Sequence, residues 1–267
     1  MEASSDTIPV IAFDGVSKRY GPRARPALDN VSLAIQPGEF IALVGQSGSG
    51  KSTLLGMINR LIDPTSGTVW FEGENVQQQD PVMLRRHIGY VFQDIGLFPH
   101  MTLAENIGIT PRLLGWDKAR IAARVDELLN LVQLPPERYR RRYPAQLSGG
   151  ERQRAGVARA IAAQPRVVLM DEPFGALDLR TRDALSRDYR KLHDALGLTT
   201  VMITHDVIEA VLLADRIAVI QDGRIAGLGT PQGLISDPPN EDVRALLNMP
   251  REQAQRLNAL LRENGAR

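Results

Sequence analysis

The fold is decided by one stretch of the chain, Glu39-Phe-Ile-Ala-Leu-Val-Gly-Gln-Ser-Gly-Ser-Gly-Lys-Ser52. Its first part is a short apolar run, rich in β-forming residues, that ends at Gly45. From Ser52 to Leu61 the apolar residues recur at helical spacing. The stretch therefore predicts a strand, a glycine-rich loop and a helix. The loop matches the phosphate-binding pattern, which requires this order of elements.

The residue types of this loop suit phosphate chemistry. Glycines let backbone N–H groups approach an anion closely, and the helix N-terminus adds positive partial charge. Lys51 would reach the β- and γ-phosphates, and the Ser52 hydroxyl would ligate Mg²⁺, which takes oxygen ligands. The alternative, a Gly/Ser-rich turn with an exposed lysine, is weakened by the motifs that follow. The predicted nucleotide contacts are Gly45, Gln46, Ser47, Gly48, Ser49, Gly50, Lys51, Ser52 and Thr53.

A second apolar strand, Val167 to Met170, ends in Asp171 and Glu172. Neighbouring residues at a strand end point in different directions, so the two carboxylates can take different tasks. We expect Asp171 to hold Mg²⁺ and Glu172 to act as the general base that polarises a water. Two solvated acids after an edge strand would be the better reading if the chain had no phosphate loop.

A third motif, Leu147-Ser-Gly-Gly-Glu-Arg-Gln153, opens an alanine-rich helix. Its turn, Ser148, Gly149 and Gly150, is a second helix N-terminus suited to anions. Since the chain has one phosphate loop, we expect this turn to serve a nucleotide held mainly by another copy.

The remaining pattern indicates an α/β domain with a helical insertion. Strands are predicted at Arg166 to Met170, Thr199 to Thr204, and in a hairpin of Arg216 to Ile220 and Arg224 to Ala226. Helical patterns dominate residues 90–164, with the clearest helices at Asp117 to Leu131 and Gly149 to Ala163. The segment Asp242 to Leu261 is amphipathic, so we divide the chain into a domain at 8–240 and a helical tail at 241–267.

Composition excludes several classes of protein. Hydrophobic residues make up 43% and charged residues 24%, as in globular proteins. A net charge of +1 gives no reason to expect nucleic acid as a partner, and the absence of cysteine excludes disulfide and thiolate zinc sites. Met1 to Pro9 lacks the apolar core of a signal peptide. No apolar run has spanning length, so we expect a chain that does not cross a membrane.

These motifs resemble, in order and approximate spacing, those of the ATP-binding subunits of ABC transporters. The resemblance covers about Val10 to Pro231 and rests on Gly45 to Ser52, Gln93, Leu147 to Gln153, Asp171-Glu172, Ala176-Leu-Asp178 and His205. It implies an α/β fold of the P-loop NTPase type: an ABC ATPase core with a mixed sheet, an inserted α-helical subdomain and an antiparallel β subdomain.

The resemblance also implies roles for individual residues. Tyr20 looks like the aromatic residue on which adenine stacks, although a tyrosine at a strand end is often only structural. Gln93 resembles the glutamine that touches Mg²⁺ and the attacking water. Asp178 resembles the aspartate that crosses the dimer interface, and His205 the histidine that contacts the γ-phosphate. Glu151 stands where many relatives have glutamine, and a carboxylate in a first helical turn suits the helix dipole.

The implied partners are a second copy in head-to-tail arrangement, a membrane permease and, indirectly, a solute-binding protein. The apolar residues between Asp94 and Thr102 favour a surface that contacts the permease, and the alternative is that Ile95 and Leu97 pack into the core. The implied location is peripheral, on the cytoplasmic face of the membrane. Phe92 to Asn106, Leu114 to Lys118 and Pro173 to Asp178 look most like importers of quaternary amines such as glycine betaine and choline. Importers of polyamines or other small solutes are the alternative. An ABC ATPase acting on DNA or ribosomes is disfavoured, because the chain lacks a long heptad run and has only one phosphate loop.

Two further groups are interpreted as structural. His87, His100 and His193 have no companion ligands at metal-binding spacing, so we expect them at the surface or in loops. The arginines at 138, 140, 141 and 142 could suggest acidic lipid or nucleic acid, but a solvated helix end anchored by Tyr139 and Tyr143 is the favoured interpretation.

Overall fold

The structure, a computed structural model, describes residues 8–21, 23–249, 251 and 255. Its strands are β1 (Ile11–Lys18), β2 (Leu28–Ile35), β3 (Phe40–Val44), β4 (Ser66–Phe71), β5 (Glu74–Asn75), β6 (Ile88–Val91), β7 (Val167–Asp171), β8 (Thr199–Ile203), β9 (Arg216–Gln221) and β10 (Arg224–Gly229). Its helices are α1 (Lys51–Ile58), α2 (Pro81–His87), α3 (Leu103–Leu113), α4 (Lys118–Leu131), α5 (Pro136–Tyr139), α6 (Gly149–Ala160), α7 (Leu179–Leu196), α8 (Val207–Leu213) and α9 (Pro231–Ser236). Residues 241–249 are also helical.

The larger sheet is mixed, with the spatial order β10, β9, β3, β8, β7, β6. Within it β3 runs parallel to β8 and β9, and β7 runs parallel to β6 and β8. The last strand, β10, returns antiparallel to β9 and forms the predicted hairpin. The sheet confirms the predicted strands and the mixed α/β core.

The central strand β3 is buried at every position because both faces of the sheet are covered. Phe40, Ala42 and Val44 face one apolar core, which includes residues of α6 and α7. Ile41 and Leu43 face the other, which lies against α1 and the smaller sheet. Side chains of a strand alternate between its faces, so one apolar run stabilises two layers.

The smaller sheet is antiparallel, with the order β2, β1, β4, β5. It confirms the antiparallel β subdomain that the family resemblance implied. The pairing of β1 with β2 shifts register between Phe13 and Val16 and again between Val16 and Lys18. Such irregularities interrupt the alternation of side chains along a strand.

The helical segment lies between β6 and β7, as predicted, and contains α3 to α6. Tyr90, at its predicted start, lies in β6, because that strand pairs in parallel with β7. Asp117 caps α4 by accepting a hydrogen bond from the backbone N–H of Arg120. The Arg124 guanidinium donates to the carbonyls of Ile161 and Ala162, just beyond the C-terminus of α6.

The structure corrects two expectations about aromatic residues. His193 is buried rather than at the surface, since it shares the inner face of α7 with Tyr189 and its ring nitrogen lies 3.0 Å from the Thr200 hydroxyl. Tyr139 is buried and anchors the arginine-rich turn, but Tyr143 is exposed and does not.

The predicted tail helix is described at 241–249, and most of its continuation to Leu261 lies outside the described residues. Across the described ranges, no helix combines the length and the apolar character needed to span a membrane.

Candidate active site

Four neighbouring strands of the mixed sheet carry predicted site residues at their carboxyl ends. Gly45 follows β3, Asp171 ends β7, and Gln93 and His205 lie just after β6 and β8. These strands are parallel, so their carboxyl ends meet at one edge of the sheet. Open α/β sheets bind ligands at this edge.

The loop between β3 and α1 depends on glycine at two positions. A Cβ at Gly45 would lie 2.1 Å from the carbonyl oxygen of Ile220, and one at Gly50 would lie 2.4 Å from that of Ala27. Their φ angles, 150° and 110°, are also ones that L side chains rarely adopt. The loop can therefore close tightly only with glycine there.

Lys51 lies beneath this loop and is buried. Its Nζ donates hydrogen bonds of 2.8 Å to the carbonyl oxygens of Gly45 and Gln46. Burial lowers the pKa of its ammonium below the ordinary value, against the opposing effect of the Glu172 and Asp171 carboxylates. The lysine charge is therefore held at the base of the loop.

A cleft of about 520 Å³ opens beside the loop. It is lined by Tyr20, Ala27, Ser47, Gly48, Gly50, Lys51, Ser52, Thr53, Glu172 and His205. Tyr20 is 64% exposed, and its hydroxyl lies 3.3 Å from that of Thr53. Gly45, Gln46 and Ser49 line a separate hollow against Ile220 and the helical residues 241–249.

Three predicted catalytic side chains meet at one oxygen atom. Glu172 Oε2 lies 3.2 Å from His205 Nδ1 and accepts a 3.3 Å hydrogen bond from Gln93 Nε2. Glu172 also has a φ of 45°, a left-handed conformation that costs energy for a residue other than glycine. Strained backbone of this kind is typical of functional sites.

The donors near Glu172 suit a hard cation. Ser52, Gln93 and Asp171 offer a hydroxyl, an amide oxygen and a carboxylate, and Mg²⁺ is usually bound by one or two carboxylates together with substrate phosphates. Burial raises the pKa of the Asp171 carboxyl, as does the Glu172 charge, while Lys51 opposes them. A cation beside Asp171 would favour its ionised form. Within the described part of the chain, no cluster of three or more His, Asp or Glu could hold a metal alone.

The predicted second anion site does not line this cleft. Ser148, Gly149 and Gly150 lie at the N-terminus of α6, where the Ser148 hydroxyl accepts from the Glu151 N–H and the Glu151 carboxylate accepts from the Ser148 N–H. Asp178 likewise caps α7 and accepts from the Thr181 N–H.

Sequence reasoning missed Arg182, which ties together the two loops beside Glu172. It donates to the carbonyls of Gly175 and Leu177, on one loop, and to the Asp206 carboxylate, next to His205. No sequence signal marks this role, since its partners are backbone atoms and a residue distant along the chain.

A second missed residue is Asn106, which is fully buried in α3. Its amide donates to the carbonyls of Phe98, Met101 and Thr102 and accepts from the Phe98 N–H. Asn106 therefore shapes the segment predicted to contact a permease, where Phe98 is 40% exposed.

The chain is similar to a known family and to several known proteins. A family model described as ABC transporter matches residues 28–175. The choline transport ATP-binding protein OpuBA of Bacillus subtilis is 49% identical over 91% of this chain and 63% of its own length. The glycine betaine uptake system ATP-binding protein YehX of Escherichia coli is 48% identical over 88% of this chain and 75% of its own length.

The chain is also similar to a sulfate/thiosulfate relative and to a solved structure. The sulfate/thiosulfate import ATP-binding protein CysA of Brucella melitensis is 52% identical over 85% of this chain and 62% of its own length. A dimeric ATP-binding cassette bound to ADP and Pi in a post-hydrolysis state superposes with a TM-score of 0.73. It is 33% identical and aligns over 82% of this chain and 98% of that one. The chain thus spans less than two thirds of the length of the first relative and of the sulfate relative.

Proposed function

Because the chain belongs to the ABC transporter family, we propose that it hydrolyses ATP and thereby powers import of quaternary amines such as glycine betaine and choline. One observation carries the hydrolytic part of this proposal: Gln93 and His205 both contact the same carboxylate oxygen of Glu172. A carboxylate held in this way, next to a phosphate-binding loop, can receive a proton from a water at a fixed position.

ATP would occupy the cleft between Tyr20 and Lys51. Backbone N–H groups of the loop and the N-terminus of α1 would bind the phosphates, with the Lys51 ammonium beside them. The exposed ring of Tyr20 would stack on adenine.

Mg²⁺ would be held by Ser52, Gln93 and Asp171 together with phosphate oxygens. When bound, it supplies positive charge that offsets the charge developing on the transferred phosphoryl group. The protein supplies the oxygen donors: Gln93 and Asp171 lie at the carboxyl ends of the adjacent strands β6 and β7, and Ser52 lies in the first turn of α1.

Hydrolysis would use Glu172 as the general base. The water oxygen attacks the γ-phosphorus, its proton passes to the Glu172 carboxylate, and the bond to the β–γ bridging oxygen breaks to release ADP and phosphate. The Gln93 amide would orient the water, and His205 would fix the carboxylate.

The test is the Glu172→Gln variant, which keeps the shape of the side chain but removes its basicity. We expect ATP binding to persist while phosphate release slows about 10²–10⁴-fold. The exposed Glu74→Gln change is the matched control and should hydrolyse ATP at the parent rate. Parent-rate phosphate release by Glu172→Gln would show that another residue is the base.

The proposed assembly is a head-to-tail dimer in which each site uses two copies. Ser148, Gly149 and Gly150 of one copy would face the γ-phosphate held by Lys51 and Ser52 of the other, with Asp178 at the interface. The similar solved cassettes are dimeric, which supports a dimer of this chain.

The proposed membrane partner is a permease that docks at residues 94–102, which would place the subunit peripherally on the cytoplasmic face. Phe98 is an exposed aromatic side chain of this segment, and Asn106 holds the backbone beneath it. Phe98→Ala should weaken co-purification with the permease, whereas Leu196→Ala, an exposed leucine at the end of α7, should not. Equal co-purification of both variants would exclude this surface.

The proposed cargo follows the relatives that transport choline and glycine betaine. Sulfate or another small solute is the alternative, supported by the sulfate/thiosulfate relative. Uptake of radiolabelled glycine betaine by cells that express this subunit with its permease, compared with sulfate uptake, distinguishes the two. A solute-binding protein would deliver the cargo to the permease.

A further inference from the structure

Arg159, near the C-terminus of α6, is 8% exposed and points into the protein. Its guanidinium donates to the carbonyl of Gly96 and, over 2.7 Å, to that of Ile95. These two residues lie shortly after Gln93 in the chain. The contact therefore joins α6 directly to the turn that follows Gln93.

Within the described ranges, no carboxylate lies within ion-pair distance of Arg159. Burial lowers the pKa of its guanidinium. A buried cation without an anionic partner is costly, so the carbonyls it contacts must be held in place to compensate.

The turn has a conformation that needs such support. Ile95 and Gly96 both have a φ of 61°, and the left-handed region is unfavourable for a β-branched residue such as isoleucine. The two carbonyls that Arg159 binds belong to these residues. Arg159 therefore stabilises the backbone conformation that directs the chain away from Gln93.

Gly156, one turn before Arg159, provides the space for this contact. A Cβ at Gly156 would lie 2.9 Å from the Cγ2 of Ile95. The helix and the turn thus meet through a hydrogen-bonded contact at Arg159 and a close apolar contact at Gly156.

We propose that Arg159 is a positioning residue that locks the turn after Gln93 to α6, so that Gln93 and the Ser148–Gly150 turn move as one unit. The proposal rests on the proposed function, in which Gln93 serves the nucleotide of its own copy and the Ser148–Gly150 turn serves that of the other. A displacement of Gln93 is then transmitted along α6 to the neighbouring site.

The first test does not depend on hydrolysis. Amide hydrogen exchange is measured at Ile95 and Gly96, whose N–H groups bond to Phe92 and Asp94. In Arg159→Met exchange should rise about tenfold, and in Arg159→Lys, which keeps one donor, it should rise less. The control Arg187→Met, an exposed arginine of α7, should leave it unchanged. Unchanged exchange in a folded Arg159→Met protein overturns the proposal.

The second test uses steric rescue. Gly156→Ala should lower kcat for ATP hydrolysis with little change in KM, because the nucleotide cleft is untouched while the turn is displaced. Adding Ile95→Ala removes the colliding Cγ2 and should restore kcat. Failure of rescue contradicts the proposal, whereas a parent protein without ATPase activity would contradict only the proposed function and leave the exchange test standing.

Discussion

The N-termini of α1 and α6 both contain glycine, yet they are capped in different ways. At α1 the capping position is Gly50, with a φ of 110°, and no side chain among the described residues caps the helix. At α6 the Ser148 hydroxyl and the Glu151 carboxylate cap each other's backbone N–H groups. The N-terminus of α1 therefore leaves its backbone N–H groups available to a ligand, whereas the N-terminus of α6 satisfies some of its own N–H groups with side chains.

The side-chain charges at the two helix N-termini also favour α1 as the stronger anion site. Lys51 places a cation at the start of α1, whereas α6 has the Glu151 carboxylate in its first turn. An isolated α6 end is therefore the weaker anion site, with Gly149 and Gly150 providing its remaining N–H donors. This difference fits the proposed function, in which α1 binds the nucleotide and α6 completes a site formed mainly by the other copy.

The largest expected effect is on the ATPase rate, when the N-terminus of α6 is changed in one copy of a dimer and the N-terminus of α1 in the other. Ser148→Arg in one copy and Lys51→Ala in the other place both changes in one shared site and leave the second intact. We expect each variant homodimer to lose about 10²–10³-fold in ATPase rate, and the mixed dimer to retain one working site. Parent-level hydrolysis by the Ser148→Arg homodimer would refute the shared site.

A matched pair of glycine changes compares the two turns in stability. Gly50→Ala must accommodate a contact of 2.4 Å with the Ala27 carbonyl, so we expect a loss of more than about 2 kcal/mol. Gly149→Ala meets only a Leu177 methyl group at 3.6 Å, so we expect stability to rise by about 0.5–1 kcal/mol. Urea unfolding of both variants measures the difference, and equal losses would remove the distinction between the turns.

The smallest expected effect concerns pH and the cap of α6. A hydrogen bond from the Tyr139 hydroxyl, and then one from the Ser148 N–H, lower the pKa of Glu151 below its ordinary value. The resulting stabilisation is complete above the unfolded-state pKa and is lost as pH falls through the lower folded-state pKa. Glu151→Gln should therefore cost about 0.5 kcal/mol or less at pH 7, and this difference should vanish in acid. Urea unfolding of both proteins between pH 7 and pH 3 measures this difference in stability. A difference that does not change with pH would show that the carboxylate charge is not involved.

The parts of the fold that could be predicted from sequence are those in which local chemistry is decisive. The phosphate loop, the Asp117 cap and the hairpin at Asp222-Gly223 each require particular residue types within a few positions. The strands of the antiparallel sheet were expected only through the family resemblance, since the register shifts of β1 interrupt its alternating pattern.

Buried polar residues were the least predictable. His193 is satisfied by Thr200 on a neighbouring strand, Arg159 by the carbonyls of Ile95 and Gly96, and Asn106 by the backbone of the preceding loop. In the candidate site, the Asp171-Glu172 pair could be recognised from its strand. The approach of Gln93 and His205 to Glu172 depends on the spatial order of the strands, which the chain order does not reveal.

That spatial order has a consequence for synthesis on the ribosome. β8 lies between β3 and β7, although it emerges after both. A nascent chain that ends before Thr199 can therefore form neither of the central pairings of the mixed sheet, and two apolar strands keep unpaired edges until β8 arrives. Unpaired strand edges favour aggregation, and long-range pairing is slow. We therefore expect a growing chain that ends between Asp171 and Ile203 to be prone to aggregation.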